Sequence, residues 1–171
     1  MGKKNKDKNN NKNKTTNILL CGVGGQGVIL ASTIISHAAL KAGYDVKKSE
    51  VHGMSQRGGA VTSHIRIGKK VYSPLIPTGD ADLMISLNPL ETRRNKHFLA
   101  EKGKVIECPD ELTAKLENIR SQNVALVGIL SNFLDISEET WKHTINEKIK
   151  PKLVETNKKA FDLGRQFGGG K

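Results

Sequence analysis

The stretch GVGGQGVILAS, residues 22–32, follows the short apolar run Ile18 to Cys21 and opens a segment patterned as a helix. Gly22, Gly24 and Gly27 stand at G-x-G-x-x-G spacing, and Gly25 loosens the turn further. Glycine is required where the chain takes a positive φ or where another group approaches the backbone closely. A strand-to-helix turn has both needs. The first N–H groups of the helix face outward there, ready for phosphate or another anion. Many folds share this spacing, so the weight falls on the segments around it.

The helix reads from about Gly27 to Ala42, with Val28, Ala31, Ile34, Ile35, Ala38 and Ala42 along one broad side and Gly43 placed to end it. His37, in its middle, reads as a packed or surface histidine. Residues 44–51 form a second strand-like run. Strand, glycine turn, helix and strand in that order predict a right-handed crossover and a parallel pair. In a dinucleotide-binding unit an acidic residue about 20 positions past the glycines holds the ribose hydroxyls. Glu50 stands near that spacing, so a free-standing NAD- or nucleotide-binding Rossmann-like protein stays open as an alternative.

The loop after Glu50 is unusual for such a site. VHGMSQRGG, residues 51–59, packs His52, Ser55, Gln56 and Arg57 between Gly53 and the pair Gly58-Gly59. The two glycines permit a backbone nest, and Arg57 suits bidentate contact with carboxylate or phosphate. The candidate binding residues are therefore Gly22, Gly24, Gly25, Gln26 and Gly27 with His52, Gln56, Arg57 and Gly58. No residue of the chain stands out as catalytic.

Residues 60–67 read as a β-branched strand in which His64 is structural, and residues 68–70 turn into VYSP, a hairpin signal. An apolar strand at 81–87 precedes Asn88-Pro89, a helix start with Asn as N-cap and Pro at N1. That helix is expected to reach about Ala100 and to be ended by Gly103, before a strand at 104–108. Further helices are expected at 123–134, 137–149 and 151–164, with Trp141 and Ile145 spaced to share a buried face. The pattern predicts an α/β fold: a three-layer, Rossmann-like α/β/α arrangement with a mixed sheet containing a β-hairpin.

At 171 residues the chain is long enough for one domain with a sizeable core. The formal charge is +11, but residues 1–16 hold six lysines and one aspartate, with no apolar residue after Met1. That tail reads as disordered, and residues 166–171 as a flexible end. Aromatics make up 4% of the chain, which leaves few rings for base stacking, so nucleic acid is not an expected partner. No apolar run of about 18 residues exists to span a membrane, and no targeting pattern follows the lysines, which points to the cytoplasm. Cys21 and Cys108 cannot supply the four thiolates of an iron–sulfur cluster and lack metal-finger spacing. They read as buried reduced thiols.

Four segments taken together carry a family resemblance: GVGGQGVILAS (22–32), KKSEVHGMSQRGGAVTSHIRIG (47–68), VYSPLIPTGDADLMISLNPLET (71–92) and NKKAFDLG (157–164). They resemble the gamma domain of the 2-oxoacid:ferredoxin oxidoreductases, in the form of the small beta subunits of indolepyruvate ferredoxin oxidoreductases. The resemblance covers residues 17–165. It implies a subunit of a CoA-dependent enzyme that oxidatively decarboxylates 2-oxoacids and passes electrons to ferredoxin. It also implies that thiamine diphosphate and the iron–sulfur clusters sit in a large alpha subunit, with no cofactor bound by this chain alone. One departure stands out. Only residues 110–122 bridge Cys108-Pro109 and Asn123, where the family has a longer segment with an additional strand and helix, so an edge strand is expected to be missing.

Overall fold

In the computed structural model, which describes residues 14–53 and 58–169, the apolar run forms strand β1 (Thr16–Val23). The expectations placed on residues 1–13, on Ser55, Gln56 and Arg57, and on the last two residues lie outside the described residues. Ile18, Leu19, Leu20 and Cys21 are all fully buried. A continuous apolar run of this kind belongs to a strand covered on both faces.

Four more strands complete the sheet: β2 (Asp45–His52), β3 (Ala60–Gly68), β4 (Ala81–Ser86) and β5 (Leu99–Ile106). Their order is β2-β3-β1-β4-β5. β1, β4 and β5 are parallel neighbours, whereas β3 runs antiparallel to both β1 and β2. The predicted parallel pair of β1 and β2 is therefore not formed, because β3 lies between them. Composition explains the order. β3 buries Ser63, His64 and Ile65 in succession, so it needs cover on both faces. β2 is polar (DVKKSEVH) and tolerates the sheet edge. The hairpin also differs from the expectation. It is the antiparallel pair β2–β3, while the segment after Gly68 runs on as a loop.

Helix α1 (Val28–Lys41) leaves from Gly27, at φ 79°, and stops at Ala42 with Gly43 at φ 87°. Both positions lie in the left-handed region that glycine enters without steric cost. α2 (Pro89–Arg94) starts as predicted, with the Asn88 side chain accepting from the N–H groups of Leu90 and Glu91 at 3.0 and 3.1 Å. It ends early. The Asn95 side chain donates to the Glu91 carbonyl at 2.8 Å, and Phe98 and Leu99 pack against Leu19, Cys21, Ile76, Ala81 and Met84. Extended chain begins at Leu99, so Gly103 lies inside β5 instead of closing a helix. A Cβ there would stand 2.5 Å from the Ala81 carbonyl oxygen, beside the irregular register with β4.

Residues 109–122 hold a helix not expected from sequence, α3 (Asp110–Lys115), and a 3-10 turn at Ile119–Ser121. α4 (Gln122–Leu130), α5 (Glu138–Lys148) and α6 (Val154–Gly168) complete the chain, the last running through the glycine expected to fray. Ser137 caps α5 by accepting from the Thr140 N–H, and Trp141 and Ile145 are fully buried as their spacing implied. The helices are divided unevenly. α1, α4, α5 and α6 share one large core with the sheet, while the opposite face is covered by α2, Ile76 and Phe98.

A candidate site at the glycine turn

The turn after β1 is held in place by its own side chain. Gln26 Oε1 accepts from the Val23 N–H at 2.9 Å, and Nε2 donates to the Leu87 carbonyl at 2.8 Å. One amide thus ties the ends of β1 and β4 together at the carboxyl edge of the sheet. Gly22 makes this possible, since a Cβ there would lie 2.6 Å from Val28 Cγ2 and 3.0 Å from Gln26 Oε1.

The structure brings the turn and the β2–β3 loop together. The Gly24 N–H donates to the Gly59 carbonyl at 2.9 Å, and Gly58 sits against Gly24 at φ 63°. Gly25, at φ 93°, has open space around it. His52 is exposed at the end of β2, opposite Val61 of β3, which in turn pairs with Gly22 of β1. The His52 backbone is therefore two strands from the turn, about 10 Å by the usual strand spacing. Gln56 and Arg57 lie outside the described residues.

Glu50 does not serve a ribose here. Its carboxylate pairs with Lys48 at 2.8 Å and accepts from Ser32 at 3.5 Å, on a strand separated from β1 by β3. The nucleotide-binding alternative loses its acidic residue for this geometric reason.

The N-terminus of α1 is uncapped: Gly27 offers no side chain, and the first turn carries no acidic residue. Asn123, at the start of α4, packs directly on Gly27 and donates to its carbonyl at 3.2 Å. A cavity of about 170 Å³ adjoins the turn, lined by Gly25, Gln26, Leu87, Ile119, Arg120 and Asn123 among others. Sequence reasoning missed Asn123 and Arg120. Asn123 bonds across 96 positions, and no local pattern marks such a contact.

The cysteines are both unpaired. Burial, then the charge of Glu91, pushes the Cys21 thiol up to about 12, which makes it a poor thiolate donor. No group of three or more His, Cys, Asp or Glu able to hold a metal occurs among the described residues. This donor set does not fit an iron–sulfur cluster.

Comparison with known proteins gives concordant matches. Residues 17–167 match the family described as pyruvate ferredoxin/flavodoxin oxidoreductase. The chain is 34% identical to the indolepyruvate oxidoreductase subunit IorB of Thermococcus kodakarensis, covering 88% of this chain and 95% of the relative. It is 35% identical to the IorB subunit of Archaeoglobus fulgidus, covering 86% and 92%. The Thermococcus alignment spans 191 positions, more than the 171 residues present here, so that relative carries residues this chain lacks. The fold is similar to that of the gamma subunit of keto/oxoacid ferredoxin oxidoreductase from Geobacter sulfurreducens, with a TM-score of 0.75 at 21% identity over 91% of this chain and 99% of that one.

Proposed function

This chain belongs to the pyruvate ferredoxin/flavodoxin oxidoreductase family, and on that premise we propose that it is the non-thiamine-binding subunit of a cytoplasmic, CoA-dependent indolepyruvate or aryl pyruvate:ferredoxin oxidoreductase. The observation that carries this reading is the match to indolepyruvate oxidoreductase subunits over more than nine-tenths of their own length. Its partner is a large alpha subunit that holds thiamine diphosphate and the iron–sulfur clusters, and ferredoxin is reached through the complex. Thiamine diphosphate supplies carbanion stabilisation in that partner.

The role of this chain is to complete a wall of the shared active site or of the CoA path. The glycine turn and the residues 52–59 loop form that wall, joined by the Gly24–Gly59 hydrogen bond. The N-terminus of α1 and Arg57 meet carboxylate or phosphate charge, while Gln56 adds a hydrogen bond. No proton transfer or covalent step is assigned to these residues.

Co-expression with the neighbouring large subunit tests the reading. The expected result is a co-purifying complex whose indolepyruvate- and CoA-dependent reduction of ferredoxin requires this chain, and in which Arg57→Ala raises the KM for 2-oxoacid or CoA. A chain that stays alone and binds NAD at micromolar affinity by calorimetry would overturn it.

A further inference from the structure

β2 ends the sheet, and among the described residues no strand pairs with its outer side. The Gly53 N–H donates to the Ala60 carbonyl at 2.7 Å, in the register that continues His52↔Val61. Antiparallel ladders alternate, so the odd-numbered residues of β2 face β3, while Val46, Lys48, Glu50 and His52 direct their N–H and C=O groups outward. Such an edge is a template for another strand, and native edges are commonly blocked by unpaired charge. β2 is not blocked in that way. Lys48 and Glu50 stand on one face and pair with each other at 2.8 Å. The flank above them is apolar at both ends. Lys48 Nζ reaches Thr33 Oγ1 at 3.3 Å, which sets that side of α1 over β2. Ile29 and Leu40 lie on the same side of the helix, 44% and 50% exposed.

We propose that the β2 edge is a self-pairing surface, on which a second copy of this chain adds its own β2 antiparallel and joins the two sheets into one. The charge pattern selects both the partner and the register. A two-fold axis perpendicular to the sheet keeps each side chain on its own face, so a symmetric ladder is centred on a residue that meets itself. Centred on Ser49, it sets Lys48 of each copy opposite Glu50 of the other, with Val46 opposite His52. The other registers that pair most of the strand are centred on Lys47, Lys48 or Glu50, and each sets like charges together. The Ser49 register also joins every outward group of residues 46–52 in hydrogen-bonded pairs. β5, at the opposite edge, shows the contrast: centred on Glu101 it opposes glutamates, and centred on Lys102, Gly103 or Lys104 it opposes lysines. The helices fit the same axis. α1 lies over β2 and β3, so at the ordinary strand spacing the two copies of α1 stand about 10 Å apart, the distance of packed helices. They run antiparallel, which turns Ile29 of one copy toward Leu40 of the other. β2 runs in the direction of β1, so the axis sends the two glycine turns to opposite ends, each open to its own large subunit.

The test follows the full chain alone by sedimentation equilibrium, from about 1 μM to about 1 mM, where the wild type is expected to pass from monomer to dimer. Lys48→Glu and Glu50→Lys each set like charges across the axis and should each weaken the dimer roughly tenfold. Mixed in equal amounts, the two variants restore opposite charges across the axis, and a heterodimer within about threefold of the wild-type affinity is expected. Amide hydrogen exchange reads the register. Above the dissociation constant, protection rises at the N–H groups of Val46, Lys48, Glu50 and His52 and not at those of Lys47, Ser49 and Val51, which β3 already holds. Below it, β2 exchanges as an open edge. A wild type that stays monomeric throughout, a mixture no tighter than its components, or a dimer that leaves the even-numbered amides unprotected each overturns self-pairing. Protection of those amides that arises only on adding the large subunit gives the edge to that subunit and overturns it as well.

Discussion

At Gln26 a side chain that suits a binding site by its hydrogen-bonding chemistry proves to serve the backbone. Both amide atoms bridge strand ends, so its contribution to a site is to fix the shape of the turn. The glycines are legible in the sequence because a positive φ and close approach leave few other choices. Asn123 is not, because what matters there is a contact brought about by the whole fold. His64 reads as structural, and it is: Nδ1 accepts from the Ile76 N–H at 3.3 Å and the ring lies edge-on to Phe98 at 5.1 Å. Burial holds its pKa below the ordinary 6.5. In the unfolded chain the ring protonates near that ordinary value, so the unfolded state binds more protons in the window just below it. Stability therefore falls as pH drops through 6.5 and levels off once the folded ring also protonates. His64→Gln keeps an acceptor for Ile76 and should lose this component. Urea midpoints measured on both sides of that pH check it, and equal slopes in the two proteins would refute the assignment.

Among the elements, α4 and α6 make the closest helix pair. Gly128 stands against the Phe161 carbonyl and Gly164 against the Ala125 carbonyl, with no room for a Cβ at either position. Bare glycine lets the two backbones touch, and Phe161 of α6 is buried with Trp141 of α5 in the same large core. Gly164→Ala must push the helices apart, at a cost of about 3 kcal/mol from overpacking. Chemical denaturation would show it as a lower midpoint with an unchanged slope, and a variant as stable as the wild type would show that the helices separate freely. The same elements show how far pattern reading reaches. Capping residues locate the starts of α2 and α5, because an N-cap is a local event. The length of α2 escapes the pattern, because Phe98 and Leu99 are drawn to a core that lies across the sheet. Strand order escapes it too. The signal is in the composition of β2 and β3, one polar and one buried on both faces, and the connection rule for parallel pairs outweighs it.

Across the whole molecule, the loops that form the candidate site gather at one edge of the sheet, away from the face of α5 and α6 that is laced with ion pairs. Lys142 pairs with Glu138 and Asp162, and Arg165 lies 3.7 Å from Glu138. These surface pairs contribute little stability individually and mark a solvated face. The carboxyl edge carries instead exposed Ile29, Val51, Leu90 and Ile119 around the glycine turn. That contrast yields a prediction about assembly. In the isolated chain, amide hydrogen exchange should be slowest in β1, which is paired on both sides and buried, and faster in the edge strands β2 and β5. On binding the large subunit, protection should rise in the glycine turn, at the end of β2 and around residues 119–120, and change little along α5 and the outer side of α6. Fully buried β1 has little protection left to gain. New protection confined to α5 and α6 would place the partner on the solvated face and separate this chain from the shared active site.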